Sequence, residues 1–100
     1  YEADPLVNHG KVTAGLGIAL FDAMDRVMTE AGSITLPMLI MHGGADTLAA
    51  PTGSETFAAK VGASDLTLKV LPGLYHEIFN EPEGEEIIGQ YADWIEARLP

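Results

Sequence analysis

The chain of 100 residues contains 15 acidic residues, 5 basic residues and no cysteine, and 47% of it is hydrophobic. This length supports one modest hydrophobic core and not two domains. A formal net charge of −10 disfavours nucleic-acid binding, and the absence of cysteine excludes disulfides and thiolate metal sites.

No stretch of the chain approaches the ~20 apolar residues that a membrane span needs, and no signal peptide is visible. We therefore expect a cytoplasmic protein. The first residue is Tyr1 and not methionine, which is compatible with a processed or truncated chain.

The first predicted elements are a lead-in loop over residues 1–10 and a helix over residues 11–31. Apolar residues recur in this helix at helical spacing and mark one face: Val12, Leu16, Leu20, Met24, Val27 and Met28. Gly32 follows and predicts a left-handed cap at the end of the helix.

Residues 37–41 predict a short strand whose continuous apolar character is typical of parallel strands buried on both faces. A loop leads to the sequence Thr52-Gly53-Ser54-Glu55, which fits a capping box. We therefore predict a second helix that begins there and ends near Gly62.

Residues 66–71 alternate between apolar and polar side chains and predict a second strand, which ends at a Pro72-Gly73 turn. Pro82 suits the first position of a last helix. The apolar stripe of that helix comprises Ile87, Ile88, Tyr91, Trp94, Ile95 and Leu99.

The order helix, strand, helix, strand, helix is the α/β pattern, with the strands expected to be parallel. Natural sheets commonly have about four to six strands, and this chain supplies two. We therefore expect the 100 residues to be part of one larger α/β domain that is incomplete without a preceding segment.

Asp46 lies a few residues beyond the first predicted strand, and His76 lies a few residues beyond the second. Functional groups of open parallel sheets collect beyond the carboxyl ends of the strands. We predict that the two side chains meet there, where a carboxylate can fix the tautomer of an imidazole and stabilise the imidazolium. Gly43 and Gly44 allow a tight exit from the first strand.

Each of these residues also has a purely structural interpretation. An aspartate after a strand suits a turn, and an isolated histidine suits a satisfied surface position. His42, at the strand end, is predicted to be structural and to bond to neighbouring backbone. The three histidines lack metal-ligand spacing, so no metal site is predicted.

An Asp–His pair needs a nucleophile, and the chain does not offer an obvious one. None of its serines, Ser33, Ser54 and Ser64, lies in the G-x-S-x-G sequence that projects a nucleophilic hydroxyl from a strand-to-helix turn.

Two stretches carry a family resemblance: P-M-L-I-M-H-G-G-A-D at 37–46 and L-K-V-L-P-G-L-Y-H-E-I-F-N-E-P at 68–82. They resemble the C-terminal part of an α/β-hydrolase and are most similar to the monoacylglycerol lipase and lysophospholipase-like serine hydrolases. The lead-in D-P-L-V-N-H-G-K-V-T-A at 4–14 is similar to the segment where that branch returns from its cap. The resemblance implies that residues 1–10 are the cap return loop, and residues 11–100 the core helices and last two strands.

In that family the triad follows the order Ser, Asp, His, so the resemblance implies Asp46 as the acid and His76 as the general base. It further implies hydrolysis of monoacylglycerol or related fatty-acyl esters without a cofactor, and it permits peripheral membrane contact. The nucleophile would come from a preceding segment, so we expect the 100 residues alone to be inactive. Leu48 and Leu74, in the flanking loops, are candidates for substrate binding or for ordinary packing.

A second hypothesis from a different class is a non-catalytic α/β interaction or oligomerisation module. Its apolar helix faces would close against copies of the same chain, and Asp46 would be a turn residue. A receiver-like phosphoacceptor domain is disfavoured, because the acidic cluster that would hold Mg²⁺ is missing.

Overall fold

The computed structural model describes residues 2–100, so Tyr1, the start of the predicted lead-in loop, lies outside the described residues. The described residues form three α-helices, two β-strands and two short 3₁₀ turns, the turns at Ala31–Ser33 and Ile78–Asn80. In residues 2–100 no helix is long and apolar enough to cross a membrane. The main elements are helix α1 Ala14–Glu30, strand β1 Met38–Gly43, helix α2 Pro51–Lys60, strand β2 Leu66–Leu71 and helix α3 Gly84–Glu96.

Strands β1 and β2 pair in parallel, as predicted, with Met38 opposite Leu66 and Gly43 opposite Leu71. They form a two-stranded sheet within the described part of the chain. Because the two strands are equally long and pair from their first to their last residue, their carboxyl ends lie side by side. Apart from the buried Gly43, the residues of β1 are half-buried rather than buried on both faces, which corrects the expectation from the apolar run of that strand.

Helices α2 and α3 lie on opposite faces of the sheet. Successive side chains of a strand point to opposite faces, and the neighbouring residues His42 and Met41 contact different helices. On one face His42 contacts Ser54 of α2. On the other face Met41 packs against the buried core, to which α3 contributes Ile87.

The core of the described residues is small and lies between β2, the following loop and α3. Leu74, Ile78 and Ile87 are its buried members. Met41, Leu71 and Tyr91 pack against them while remaining partly exposed.

Helix boundaries are where the sequence-based predictions are least accurate. Helix α1 begins after Thr13, whose hydroxyl oxygen accepts a hydrogen bond from the backbone N–H of Leu16 at 3.1 Å, so Val12 precedes the helix. Gly32 is not a left-handed cap. Among the described residues only Gly73 has a positive φ, and the chain continues from α1 into a 3₁₀ turn.

The starts of the other two helices also differ from prediction. Helix α2 begins with Pro51 in its first turn after Ala50, so the predicted capping box at Thr52 is wrong. A proline fits the first helical position because its missing N–H would have no partner there. The N-cap is accordingly Ala50 and not Thr52, two residues earlier than predicted. Helix α3 begins at Gly84 and not at Pro82. The residues before it form a turn in which the N–H of Gly84 donates to the carbonyl of Glu81.

The apolar face predicted on α1 is uncovered in this chain. No residue of α1 is buried, and Leu16, Leu20, Met24 and Val27 are each half exposed or more. The Cα radius of gyration of 16.1 Å accordingly exceeds the ~13 Å typical of a compact domain of this length.

A cation–π contact and hydrogen bonds join the residues around the end of α3 to the start of β2. The Arg98 guanidinium lies 3.7 Å from the ring centroid of Trp94 and donates to both carboxylate oxygens of Asp65, at 2.7 and 2.9 Å. These hydrogen bonds lower the pKa of Asp65. The Trp94 indole N–H donates to the Thr67 hydroxyl at 3.2 Å.

Replacing Ile87 by alanine tests the core directly. Ile87 is 2% exposed, so truncation leaves a cavity among Leu74 and Ile78 and should lower the free energy of unfolding by about 2–5 kcal/mol. The neighbouring Ile88 is 53% exposed, and Ile88→Ala should change it by about 0.5 kcal/mol or less. Urea unfolding followed by Trp94 fluorescence measures both, and equal midpoints for the two variants would contradict the assignment of the core.

Candidate active site

The centre of the site is the carboxylate of Asp46, which is 7% exposed. Its Oδ1 accepts the backbone N–H groups of Leu48 and Ala49, each at 2.9 Å. Its Oδ2 lies 2.9 Å from Nδ1 of His76 and 3.0 Å from Nε2 of His42. A carboxylate offers about four lone-pair positions, so all of them are used.

This environment keeps Asp46 ionised. Burial raises the pKa, but the hydrogen bonds from the Ala49 N–H, the His76 ring and the Leu48 N–H together outweigh it and lower the pKa from 3.8 to about 2. A negative charge is therefore held against two imidazole rings at neutral pH.

His76 is oriented by Asp46 at one ring nitrogen and is open at the other. Its side chain is 49% exposed, and within residues 2–100 its Nε2 has no hydrogen-bond partner. Because Asp46 accepts, Nδ1 carries the hydrogen, which leaves Nε2 of the neutral ring free to take a proton. The ring borders a cavity of about 200 Å³ that is lined by Met41, His42, Gly43, Asp46, His76 and Ile78.

The close approach of two loops explains why the chain leaves β1 through glycine. A side chain at Gly43 would overlap the carbonyl oxygens of Leu74 and Tyr75, the two residues before His76. The Ala45 N–H donates to the Leu74 carbonyl at 2.9 Å across the same contact. Gly43 has no positive φ, so what it provides is space rather than an unusual backbone conformation.

The loop that carries His76 is shaped by its own turn and by a carboxylate. Gly73 has a φ of 77°, and the Leu74 N–H donates to the Leu71 carbonyl at 3.3 Å, which confirms the turn predicted at Pro72-Gly73. The Glu81 carboxylate accepts the Tyr75 N–H at 2.8 Å, immediately before His76.

The two site residues predicted from strand order lie within hydrogen-bonding distance, and the two substrate-binding candidates lie apart. Leu48 is 81% exposed, and its backbone N–H donates to Oδ1 of Asp46. Leu74 packs in the core with Ile78 and Ile87 and does not line the cavity beside His76. That placement favours ordinary packing for Leu74, and substrate binding by Leu48 stays a prediction.

His42 contributes more than was predicted for it. It bonds to neighbouring backbone, as expected, with Nε2 2.8 Å from the Ala49 carbonyl. It also contacts Asp46, and its Nδ1 lies 2.7 Å from the hydroxyl oxygen of Ser54. The sequence signal was a histidine at the strand end four residues before the carboxylate, a spacing that does not by itself specify contact in a loop.

The structure does not bring a serine of this chain to His76. The hydroxyl of Ser54 is engaged by His42 and does not line the cavity, and the hydroxyl of Ser33 donates to the Glu30 carbonyl at 2.7 Å. No hydrogen bond among residues 2–100 joins a serine to His76.

Comparison with known proteins relates this geometry to characterised folds. The Hydrolase_4 family model, described as serine aminopeptidase, S33, matches residues 1–83. The chain is 41% identical over 99 residues to the monoacylglycerol lipase of Mycolicibacterium smegmatis and 33% identical over 101 residues to the monoglyceride lipase of Rattus norvegicus. Each match includes 99% of the chain.

A solved structure agrees with these matches. The crystal structure of Paleococcus ferrophilus monoacylglycerol lipase matches 94% of the chain with a TM-score of 0.85 and 38% identity, over 37% of that protein. The chain spans about a third of the curated relatives, 35% and 33% of their lengths, and matches their C-terminal part.

Gly43→Ala tests the close approach of the loops. The added methyl group must push the Leu74–Tyr75 backbone away, so we expect the free energy of unfolding to fall by about 1–3 kcal/mol. Gly53, in α2, has open space within 4 Å of the position that a Cβ would take, and Gly53→Ala should raise stability by about 0.4–1 kcal/mol. Urea midpoints measure both, and an unchanged midpoint for Gly43→Ala would refute the steric argument.

The lowered pKa of Asp46 predicts a dependence of stability on acid. Its contribution is complete above the ordinary pKa of 3.8 and is lost as the pH falls through about 2. Unfolding midpoints measured between pH 5 and pH 2 should therefore fall more steeply in the unmodified chain than in Asp46→Asn. Asp65 retains its own acid dependence in both, so the difference between the two curves isolates Asp46. Parallel curves would show that Asp46 has an ordinary pKa.

Proposed function

The chain belongs to the Hydrolase_4 family, described as serine aminopeptidase, S33, and forms part of an α/β-hydrolase fold. On this premise we propose that it is the C-terminal part of a serine ester hydrolase. The proposed substrates are monoacylglycerols or related fatty-acyl esters. The observation that carries the proposal is the buried, ionised Asp46 that holds Nδ1 of a half-exposed His76.

The proposed reaction uses a nucleophilic serine supplied by a preceding segment. Nε2 of His76 takes the hydroxyl proton as the serine oxygen attacks the ester carbonyl carbon, and Asp46 stabilises the imidazolium. His76 then gives that proton to the departing alcohol oxygen, which leaves an acyl-enzyme. Water, deprotonated by the same ring, releases the fatty acid and restores the serine.

Esters are favoured as substrates because the relatives reported above are named as monoacylglycerol and monoglyceride lipases. The cavity beside His76 includes the apolar side chains of Met41 and Ile78, which suits a fatty-acyl ester better than a charged substrate. The reaction needs no cofactor. The cytoplasmic location and the peripheral membrane contact stay predictions.

One observation favours the alternative, a non-catalytic oligomerisation module. The uncovered apolar face of α1 could close against a second copy of the chain. That alternative gives no role to a satisfied carboxylate that orients a histidine with a free nitrogen, so the hydrolase is the better account of the site.

The test uses a hybrid hydrolase, in which this chain replaces the matching segment of the Mycolicibacterium smegmatis lipase. The hybrid hydrolase should hydrolyse a monoacylglycerol and react with a fluorophosphonate. His76→Ala should lower kcat by about 10⁴-fold or more, and Asp46→Asn by about 10⁴-fold, because proton transfer and its support are lost. The rate of fatty-acid release gives kcat for the unmodified hybrid and for both variants.

Glu77→Gln is the matched control, since Glu77 adjoins His76 and bonds to Asn80 rather than to Asp46. It should retain activity. Full turnover by a folded His76→Ala variant would contradict the proposal. A monodisperse hybrid that neither hydrolyses ester nor labels, together with self-association of the 100-residue chain in sedimentation, would favour the alternative.

A further inference from the structure

His42 is enclosed by three partners that the proposed reaction does not use. Its side chain is 15% exposed. Nε2 lies 3.0 Å from Oδ2 of Asp46 and 2.8 Å from the Ala49 carbonyl oxygen, and Nδ1 lies 2.7 Å from the Ser54 hydroxyl oxygen. Both ring nitrogens are thus engaged, which leaves neither free to exchange a proton with a substrate.

The partners assign the tautomer of the ring. A carbonyl oxygen and an ionised carboxylate only accept, so Nε2 of His42 carries a hydrogen. In the neutral ring Nδ1 then accepts the hydroxyl hydrogen of Ser54. Hydrogen-bond donation therefore runs from α2, through the end of β1, into the carboxylate of Asp46.

Two imidazoles share one carboxylate oxygen. Oδ2 of Asp46 accepts from His42 and from His76, and Oδ1 accepts from two backbone N–H groups. Rotation of the carboxylate would break contacts on both sides. His42 is the part of this arrangement that belongs to the sheet, and it is less exposed than the 49% exposed His76.

We propose that His42 is a positioning residue of the hydrolase. Its Nε2–H holds Oδ2 of Asp46 against Nδ1 of His76. The hydrogen bonds of the His42 ring to Ser54 and Ala49 set the tautomer that makes this possible. This inference rests on the proposed function. His42 acts through Asp46 alone, and Ser54 acts through His42 rather than as a nucleophile. Removing a group that orients a functional side chain in this indirect way commonly costs about 10–100-fold in activity.

The first test compares two replacements of His42 in the hybrid hydrolase. His42→Leu removes the donor and should lower kcat by about 10–100-fold with KM changed by about twofold or less. His42→Gln restores an N–H donor at the reach of Nε2 and should remain within about threefold of the unmodified hybrid. Equal kcat in the unmodified and His42→Leu proteins would overturn the proposal, as would a His42→Gln variant as impaired as His42→Leu.

The second test separates positioning from general support of the loop. In an Asp46→Asn background, His42→Leu should cause no further fall in kcat, because the group through which it acts is already lost. A further fall of the same factor as in the unmodified background would assign His42 a structural role and overturn the proposal. Ser54→Ala should reduce kcat by less than about tenfold, because Ser54 acts only through His42. A loss larger than that caused by His42→Leu would contradict this role.

The third test does not depend on activity. In the hybrid hydrolase with ¹⁵N-labelled histidine, His42 should carry its hydrogen on Nε2 and His76 on Nδ1. The slowly exchanging Nδ1–H resonance of His76 should be lost in His42→Leu and retained in His42→Gln. Its persistence in His42→Leu would overturn the positioning role. An inactive hybrid with the expected resonances would contradict the proposed function and leave the positioning of Asp46 supported.

Discussion

The structure depends on the burial of one ionised carboxylate. Removing a charge from water is costly unless hydrogen bonds replace the lost hydration, and Asp46 obtains them from three parts of the chain. These parts are the end of β1 through His42, the loop after β1 through backbone N–H groups, and the loop after β2 through His76. The requirement to satisfy Asp46 therefore constrains both loops at once.

Strand register and glycine placement make that arrangement possible. Parallel pairing sets Gly43 opposite Leu71, so the loops that follow start from the same edge. The missing side chain at Gly43 then lets the backbone before His76 lie against the end of β1. A histidine thirty residues away in sequence reaches the carboxylate, and the pairing of the two strands is continuous up to Gly43 and Leu71. The contact between Asp46 and His76 is thus a product of backbone packing as much as of the two side chains themselves.

The sequence was sufficient to predict what depends on strand order. Parallel strands bring their carboxyl ends together, so Asp46 and His76 could be expected to meet from the order of the elements alone. The part of His42 could not be predicted, because its contact with Asp46 depends on how the loop folds back rather than on a periodic spacing. The capping box at Thr52 failed for a similar reason: Pro51 satisfied the competing rule for helix starts. The burial of Leu74 and the exposure of α1 depend on which other elements pack against them, and a hydrophobic pattern alone does not specify that packing.

The isolation of α1 has a consequence for how the chain holds together. Its helical shape rests on local interactions, namely the Thr13 cap and the pairing of Arg26 with Glu30 at 3.1 Å, while Gly15 and Gly17 each cost about 1 kcal/mol relative to alanine. A lone helix of 17 residues is marginal in water, because its first turn is costly to form and α1 has no buried residue to offset that cost. Heating should therefore unwind α1 gradually and at lower temperature than the sheet, so the 100 residues do not melt in a single transition.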